Sequence, residues 1–397
     1  MSEMDRRRAL KLLAALGTTG LAAACGADPA SEETASGSPI RIGLIAPQTG
    51  GYKSIGDEII NGFQLFLDLN DKQLGGRPVT LLTADEGETE QTGKDAVDGL
   101  LKQGVLALTG VVNSTTMVGI RDTVEQARVP LVGSNASPKS LQSVVYIWRT
   151  SYVLDEPGRA LGPYVAQQLP RSSRVAIIAP DNLGSRDAVQ GFREGFGASD
   201  PRIASETTWT EFLTNPGKNA YVASINQALR DNPDAIFCFY AGPAAVQFIK
   251  QLRAAGYQKE IYAPGFLTEG SVLGELRPAE ATGIMTSLNY SADLNNAANR
   301  RFASAYRKTH STSPTTYAMA SYDAAQVLDK AIRLAGPTAT SQQVNLALGK
   351  VGQIDSPRGP WQFNQPRTPQ QKWYLRKVQP DGRLLSNVLV NELATLG

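Results

Sequence analysis

The sequence predicts an α/β protein of two lobes, each built on a mainly parallel sheet. Three observations carry that expectation. Short apolar runs alternate along the chain with longer segments of helical periodicity, the pattern of βαβ units. At 397 residues with 42% apolar content the chain exceeds the needs of one ordinary domain and can bury a large core. Several segments that follow the apolar runs are rich in Gly, Ser, Thr and Asn, as are the loops at the carboxyl ends of parallel strands, where open α/β sheets take their ligands.

The first predicted strand is IRIGLIAP, beginning at Ile40. It is followed by a helix over 57–69, in which Ile59, Ile60, Phe63, Phe66 and Leu67 recur at spacings of three and four. VTLLTAD precedes a helix over 93–103, VLALTGV one over 116–126, RVAIIAP one over 187–196 and AIFCFYAG one over 244–255. VPLVGSN and EIYAPGF complete the predicted strands, and helical periodicity returns over 296–308 and 321–334. These helix faces read as core. The loops TGVVNSTT, VGSNASP, APDNLGS, YAGPAA and PGFLTEG then point at one cleft, although each taken singly is equally an ordinary helix N-cap.

Composition removes several classes of function. The formal charge is +2, and without residues 1–24, which carry Arg6, Arg7, Arg8 and Lys11 against Glu3 and Asp5, 35 basic and 35 acidic residues remain. No clustered basic block follows Lys11, so nucleic acid is not an expected partner. A single histidine, His310, and two cysteines, Cys25 and Cys238, cannot assemble a His/Cys metal cluster. His310 lies in the polar stretch RKTHSTSP and reads as a solvated helix-end residue, while Cys238 in AIFCFY reads as a buried, inert thiol outside any disulfide. There is no G-x-S-x-G elbow, P-loop or complete G-x-G-x-x-G fingerprint. A binding protein without cofactor or metal is expected, not an enzyme.

At the N-terminus a basic stretch is followed by thirteen apolar or small residues from Leu12 to Ala24, too few to span ~30 Å of hydrocarbon. Residues 1–24 therefore read as a signal peptide. Arg6-Arg7 followed by Leu10 and Lys11 resembles a twin-arginine export motif, with Ala9 where Phe is usual. Leu21-Ala22-Ala23-Ala24-Cys25 resembles a lipoprotein processing box, which makes Cys25 the expected lipid-bearing residue and residues 25–39 a flexible tether to the membrane surface.

The segment IRIGLIAPQTGGYKSIGDEIINGFQLFLDLN resembles the opening of the branched-chain amino-acid-binding proteins of ABC importers and their amide- and aromatic-acid-binding relatives. LLTADEGETEQTGKDAVDGLL, GVVNSTT, VPLVGSNASP, APDNLGSRDAVQGF, FIKQLRAAGY, FASAYRKTHSTSPTTYAMASYDAAQVLDKAI and FNQPRTPQQKWYLRKVQPDG resemble the successive segments of that family, in order, over roughly residues 40–385. The resemblance implies the type I periplasmic binding protein fold: two Rossmann-like lobes joined by three crossovers, here near 150–154, 286–290 and 363–365. Lobe one would be 40–151 plus 289–362, and lobe two 152–288 plus 363–397. It also implies a monomeric protein that traps a small solute and delivers it to ABC permease subunits; an extracellular sensor of the same fold is the alternative.

Carried over residue by residue, the resemblance makes Ser114 the serine that holds a ligand carboxylate. It makes Ser134, Asn135 and Ala136 the segment whose backbone binds the same headgroup, with Ala136 replacing a threonine. Ile55 and Leu183 stand where aromatic residues often cover the ligand, and Gly265 stands where an acidic residue often pairs its ammonium. Glu269 and Asp181 are near enough in sequence to replace that charge, or are ordinary loop and capping carboxylates. Tyr52, Asn113, Tyr240 and Tyr290 are further wall candidates. The altered positions lead to the expectation that the solute is not a simple branched-chain α-amino acid, but a carboxylic acid, an amide or a larger apolar molecule.

Overall fold

The computed structural model describes residues 38–141 and 144–397. The predicted signal peptide, Cys25 and nearly all of the tether lie outside the described residues.

The first lobe opens with β1 (Ile40–Ala46), α1 (Lys53–Leu69), β2 (Gln73–Leu74), β3 (Arg77–Asp85), α2 (Glu90–Lys102) and β4 (Ala107–Gly110). It continues through α3 (Ser114–Gly119), α4 (Arg121–Ala127), β5 (Leu131–Gly133) and β6 (Ile147–Arg149). β1 is buried on both faces apart from Arg41, as its nearly unbroken apolar run requires of a central parallel strand. α1 turns Ile55, Ile59, Phe63, Phe66 and Leu67 into the core. The single helix expected over 116–126 is two, because the backbone leaves regular helix at Ile120, directly after Gly119.

The second lobe holds α5 (Glu156–Gln168), β7 (Val175–Pro180), α6 (Leu183–Phe196), β8 (Thr208–Thr210), α7 (Val222–Ala228) and β9 (Ala235–Cys238). α8 (Gly242–Ala254), β10 (Glu260–Pro264), α9 (Pro278–Ala281) and β11 (Met285–Leu288) follow. α10 (Ala297–His310), α11 (Thr316–Ala335) and α12 (Ser341–Leu348) then return to the first lobe, where α11 lies along α1 and supplies Ala324, Ala325, Val327 and Leu328 to its core. β12 (Gln362–Phe363), β13 (Pro369–Asp381) and β14 (Leu384–Leu396) finish the second sheet. β13 and β14 form an antiparallel hairpin turned at Gly382-Arg383, with Gly382 at φ +63°. Cys238 is a free, buried thiol, and His310 ends α10 half-exposed.

The two sheets repeat one topology. The six-stranded sheet contains the order β3-β1-β4-β5-β6, all parallel, and the larger sheet contains β8-β7-β9-β10-β11, also parallel. In each, the direction of winding reverses beside the first strand, between β1 and β4 and between β7 and β9. Such reversals open a crevice at the carboxyl ends of the strands.

A buried hydrogen-bonded knot ties the passages between the sheets. Arg358 pairs with Asp323 at 2.9 Å and donates to the carbonyls of Thr150 at 2.6 Å and Ser151 at 3.2 Å. It also donates to Gln371 Oε1, which accepts from Asn289 at 2.8 Å, while Gln371 Nε2 donates to the Ser151 carbonyl at 3.0 Å. Asp323 Oδ2 accepts further from Ser356 and Trp361, so the buried charges are paired, the carboxylate with added donors and the guanidinium with carbonyl acceptors.

Candidate ligand-binding site

The crevices of the two sheets face one another across a small cavity lined from both lobes. From the first lobe come Tyr52 and Ile55, after β1, then Val112 to Thr115, after β4, and Asn135 with Ala136, after β5. From the second come Asn182, Leu183 and Gly184 at the start of α6, Phe212 after β8, Phe239 and Ala241 after β9, and Phe266 after β10. Leu154 enters from a passage between the lobes and Tyr317 from the first turn of α11. Five of the lining residues, Tyr52, Phe212, Phe239, Phe266 and Tyr317, are aromatic, set among aliphatic ones. Phe266 stacks on Tyr317 with ring centroids 5.6 Å apart, meets Phe239 edge-on at 5.8 Å, and continues through Tyr152 at 5.8 Å to Trp373, 4.9 Å further.

One end of the cavity carries donors. Asn182 caps α6 by accepting from the Ser185 amide at 2.9 Å, which leaves the Leu183 and Gly184 amides, without intrahelical partners, beside the cavity. The hydroxyl of Ser114 faces them from the other lobe: a Cβ placed on Gly184 would stand 3.3 Å from Ser114 Oγ. The loop carrying Ser114 is held by a carboxylate that sequence reasoning did not single out. Glu86 is fully buried and accepts from the amides of Val112 and Asn113, both at 2.7 Å. Burial pushes its carboxyl up to about 7 against these bonds. No Asp, Glu, Lys or Arg lines the cavity among the described residues.

Of the residues expected to bind, the cavity collects Tyr52, Ile55, Asn113, Ser114, Asn135, Ala136 and Leu183. Ser134 is buried beside it, and the amides of Ser134 and Ala136 are already donated to the carbonyls of Gly110 and Val111, so neither amide is free for a headgroup. Tyr240 points the other way, because residues alternate sides after β9: it stacks on Phe248 at 4.2 Å and bonds Thr210, while Phe239 and Ala241 on either side face the cavity. Tyr290 is likewise buried elsewhere, bonded to Asn299. Gly265 does not leave an empty counter-charge position, since a Cβ there would lie 2.6 Å from Arg376 Nη2. Glu269 is consumed by that same arginine, paired at 3.0 Å below a separate groove, and Asp181 pairs with Arg186 at 2.6 Å on the surface. Neither replaces the missing charge. Phe212, Phe239, Phe266 and Tyr317 were not expected; Phe266 and Tyr317 lie within the segments PGFLTEG and SPTTYAMA, and Phe212 follows β8, whose sequence TWT lacks the apolar run that marks the predicted strands.

A family model described as periplasmic binding protein matches residues 39–383, nearly the whole described chain. The chain belongs to the periplasmic binding protein family. This membership makes it an extracytoplasmic binding protein with a small-molecule ligand. A Leu/Ile/Val-binding protein homolog of Brucella melitensis is 24% identical over 353 residues, covering 85% of this chain and 87% of its own. A solute-binding protein of an ABC transporter from Rhodopseudomonas palustris, solved in complex with 3,4-dihydroxybenzoic acid, is 25% identical, with a TM-score of 0.83 over 90% of this chain and 98% of its own. A second R. palustris protein, solved with benzoate, is 25% identical with a TM-score of 0.81, over 90% of this periplasmic binding protein and 97% of its own chain. A branched-chain amino-acid transporter substrate-binding protein from Streptococcus pneumoniae, in complex with isoleucine, shares the fold with a TM-score of 0.76 at 20% identity, over 89% and 99% of the two chains. No helix among the described residues is long and apolar enough to cross a membrane.

Proposed function

We propose that this protein captures a small aromatic carboxylate between its two lobes and delivers it to the permease of an ABC importer, held outside the membrane by a lipid on Cys25. The observation that carries the solute class is the cavity itself, walled by Tyr52, Phe212, Phe239, Phe266 and Tyr317 and free of charged side chains among the described residues. Aromatic walls favour a flat apolar ring. The Ser114 hydroxyl and the first amides of α6 offer donors to a carboxylate from both lobes at once, so a bound anion favours closure. An α-ammonium finds no carboxylate here and would lose several kcal/mol of solvation without an anionic partner. The benzoate and dihydroxybenzoate complexes of the two R. palustris relatives support the same class.

The lobes in this reading are 40–151 plus 289–362 and 152–288 plus 363–397, with the Arg358 knot at their junction. Calorimetric titration of ligand-stripped protein tests the proposal. Benzoate or a hydroxybenzoate is expected to bind at micromolar concentration or below and leucine, isoleucine and valine only far more weakly. Tight binding of any of the three amino acids sinks the proposed class. Replacing Cys25 by Ser is expected to release the protein from the membrane fraction; retention there refutes the anchor.

A further inference from the structure

We propose that Glu88 and Thr214 form a latch that sets how long the lobes stay closed; this rests on the reading of the protein as a closing solute receptor. The turn 48–52 between β1 and α1 is the preformed half. Asp85 accepts from the Gln48 amide at 2.8 Å and the Thr49 hydroxyl at 2.5 Å, and Glu88 Oε1 accepts from the Gly51 amide at 2.8 Å. All of these groups belong to the first lobe. The remaining partner comes from the second: the Thr214 hydroxyl donates to the same Glu88 oxygen at 2.5 Å.

Two glycines make the fit possible. A Cβ on Gly51 would stand 2.3 Å from the Thr214 carbonyl oxygen, and one on Gly50, whose φ is +74°, would stand 2.3 Å from Glu88 Oε1. Beside the latch the Tyr52 ring meets Phe212 at 6.3 Å, and its edge lies 3.5 Å from the position a Gly242 Cβ would take. Fastening residue 88 to residue 214 therefore seats the aromatic ring that covers the cavity. Gly50, Gly51, Glu88 and Thr214 are not among the lining residues, whereas Tyr52 and Phe212 are. Glu88 is thus a positioning residue: it governs the lifetime of closure and not the identity of the solute.

Single-molecule energy transfer between one dye on each lobe measures closed dwell times, without added solute and with benzoate. Glu88→Ala and Thr214→Val are each expected to shorten the closed dwell about tenfold, the size of one lost charge-assisted hydrogen bond, with closing rates changed less than twofold. Glu88→Gln should fall between. The double variant should be no worse than Glu88→Ala, which already removes the bond that Thr214 makes. Unchanged dwells in the singles, effects that multiply in the double, or a wild type that never visits the short distance in either condition overturn the latch. Benzoate tests the solute class separately. A wild type indifferent to benzoate, whose solute-free closures still shorten in the variants, keeps the latch and loses the aromatic carboxylate.

Discussion

Just beyond β3 a single buried carboxylate decides where Asn113 and Ser114 stand. Removing Glu86 leaves the Val112 and Asn113 amides without their acceptor. Glu86→Ala is therefore expected to cost about 2–4 kcal/mol in denaturant unfolding, and Glu86→Gln, which keeps one acceptor oxygen, roughly half of that. An alanine variant as stable as the wild type would show that the loop holds itself. In the sequence Glu86 is hidden among the acids of TADEGETE, where a buried carboxylate cannot be told from a solvated one. Ser114 was legible because it follows a strand and opens a helix. Phe239 was missed by one residue in favour of Tyr240, since a strand end has two faces and the sequence does not say which is turned inward. Glu269 and Asp181 carried the right charge but were already committed to Arg376 and Arg186, partners that only the folded chain brings near.

At the scale of elements, α5 and α6 approach until their backbones touch. A Cβ on Gly158 would lie 2.4 Å from the Ala188 carbonyl oxygen, and one on Gly191 only 1.9 Å from that of Asp155. Gly191→Ala must push the helices apart and is expected to destabilise the protein by about 1–3 kcal/mol. Gly99→Ala on α2, where nothing lies within 4 Å, is expected to stabilise it by about 0.5–1 kcal/mol. Thermal melts of the pair check the opposite signs; two losses of equal size would mean that helix contact is not the cause. The long apolar strands and strongly periodic helices were readable because each buries a regular face. β6 (IWR), β8 (TWT) and β11 (MTSL) were not: they are no shorter than β5 or β9, but polar residues interrupt the apolar run that marks those strands. The β13–β14 hairpin escaped in a similar way: its exposed outer face interrupts the apolar run that marks a buried strand.

For the molecule as a whole, buried carboxyls shape stability against pH. Burial raises Glu86 to about 7 and Glu156 to about 8, so the folded state binds protons that the unfolded chain has already released. Stability from these groups falls as pH rises from about 4.5 to 8. Arg202 holds Asp200 down to about 2, a contribution lost only when pH falls toward that value. Melting midpoints are expected to be highest near pH 5 and to decline toward pH 8, with a shallower decline in Glu156→Gln; a midpoint that rises across that interval contradicts the account. The mainly parallel sheets followed from strand and helix alternation and the two Rossmann-like lobes from the family resemblance, but the knot that joins them followed from neither. Arg358, Asp323, Gln371 and Asn289 are scattered over the chain and carry no shared motif. One further consequence lies in the row of rings from the cavity wall through Phe266 and Tyr152 to Trp373. Trp373 is fully buried, in edge contact with Tyr152, so a solute that shifts Phe266 alters the surroundings of an indole that it never touches. Occupancy should therefore be visible as a change in tryptophan emission, with no label attached, and Trp373→Phe should abolish that change while leaving calorimetric binding in place.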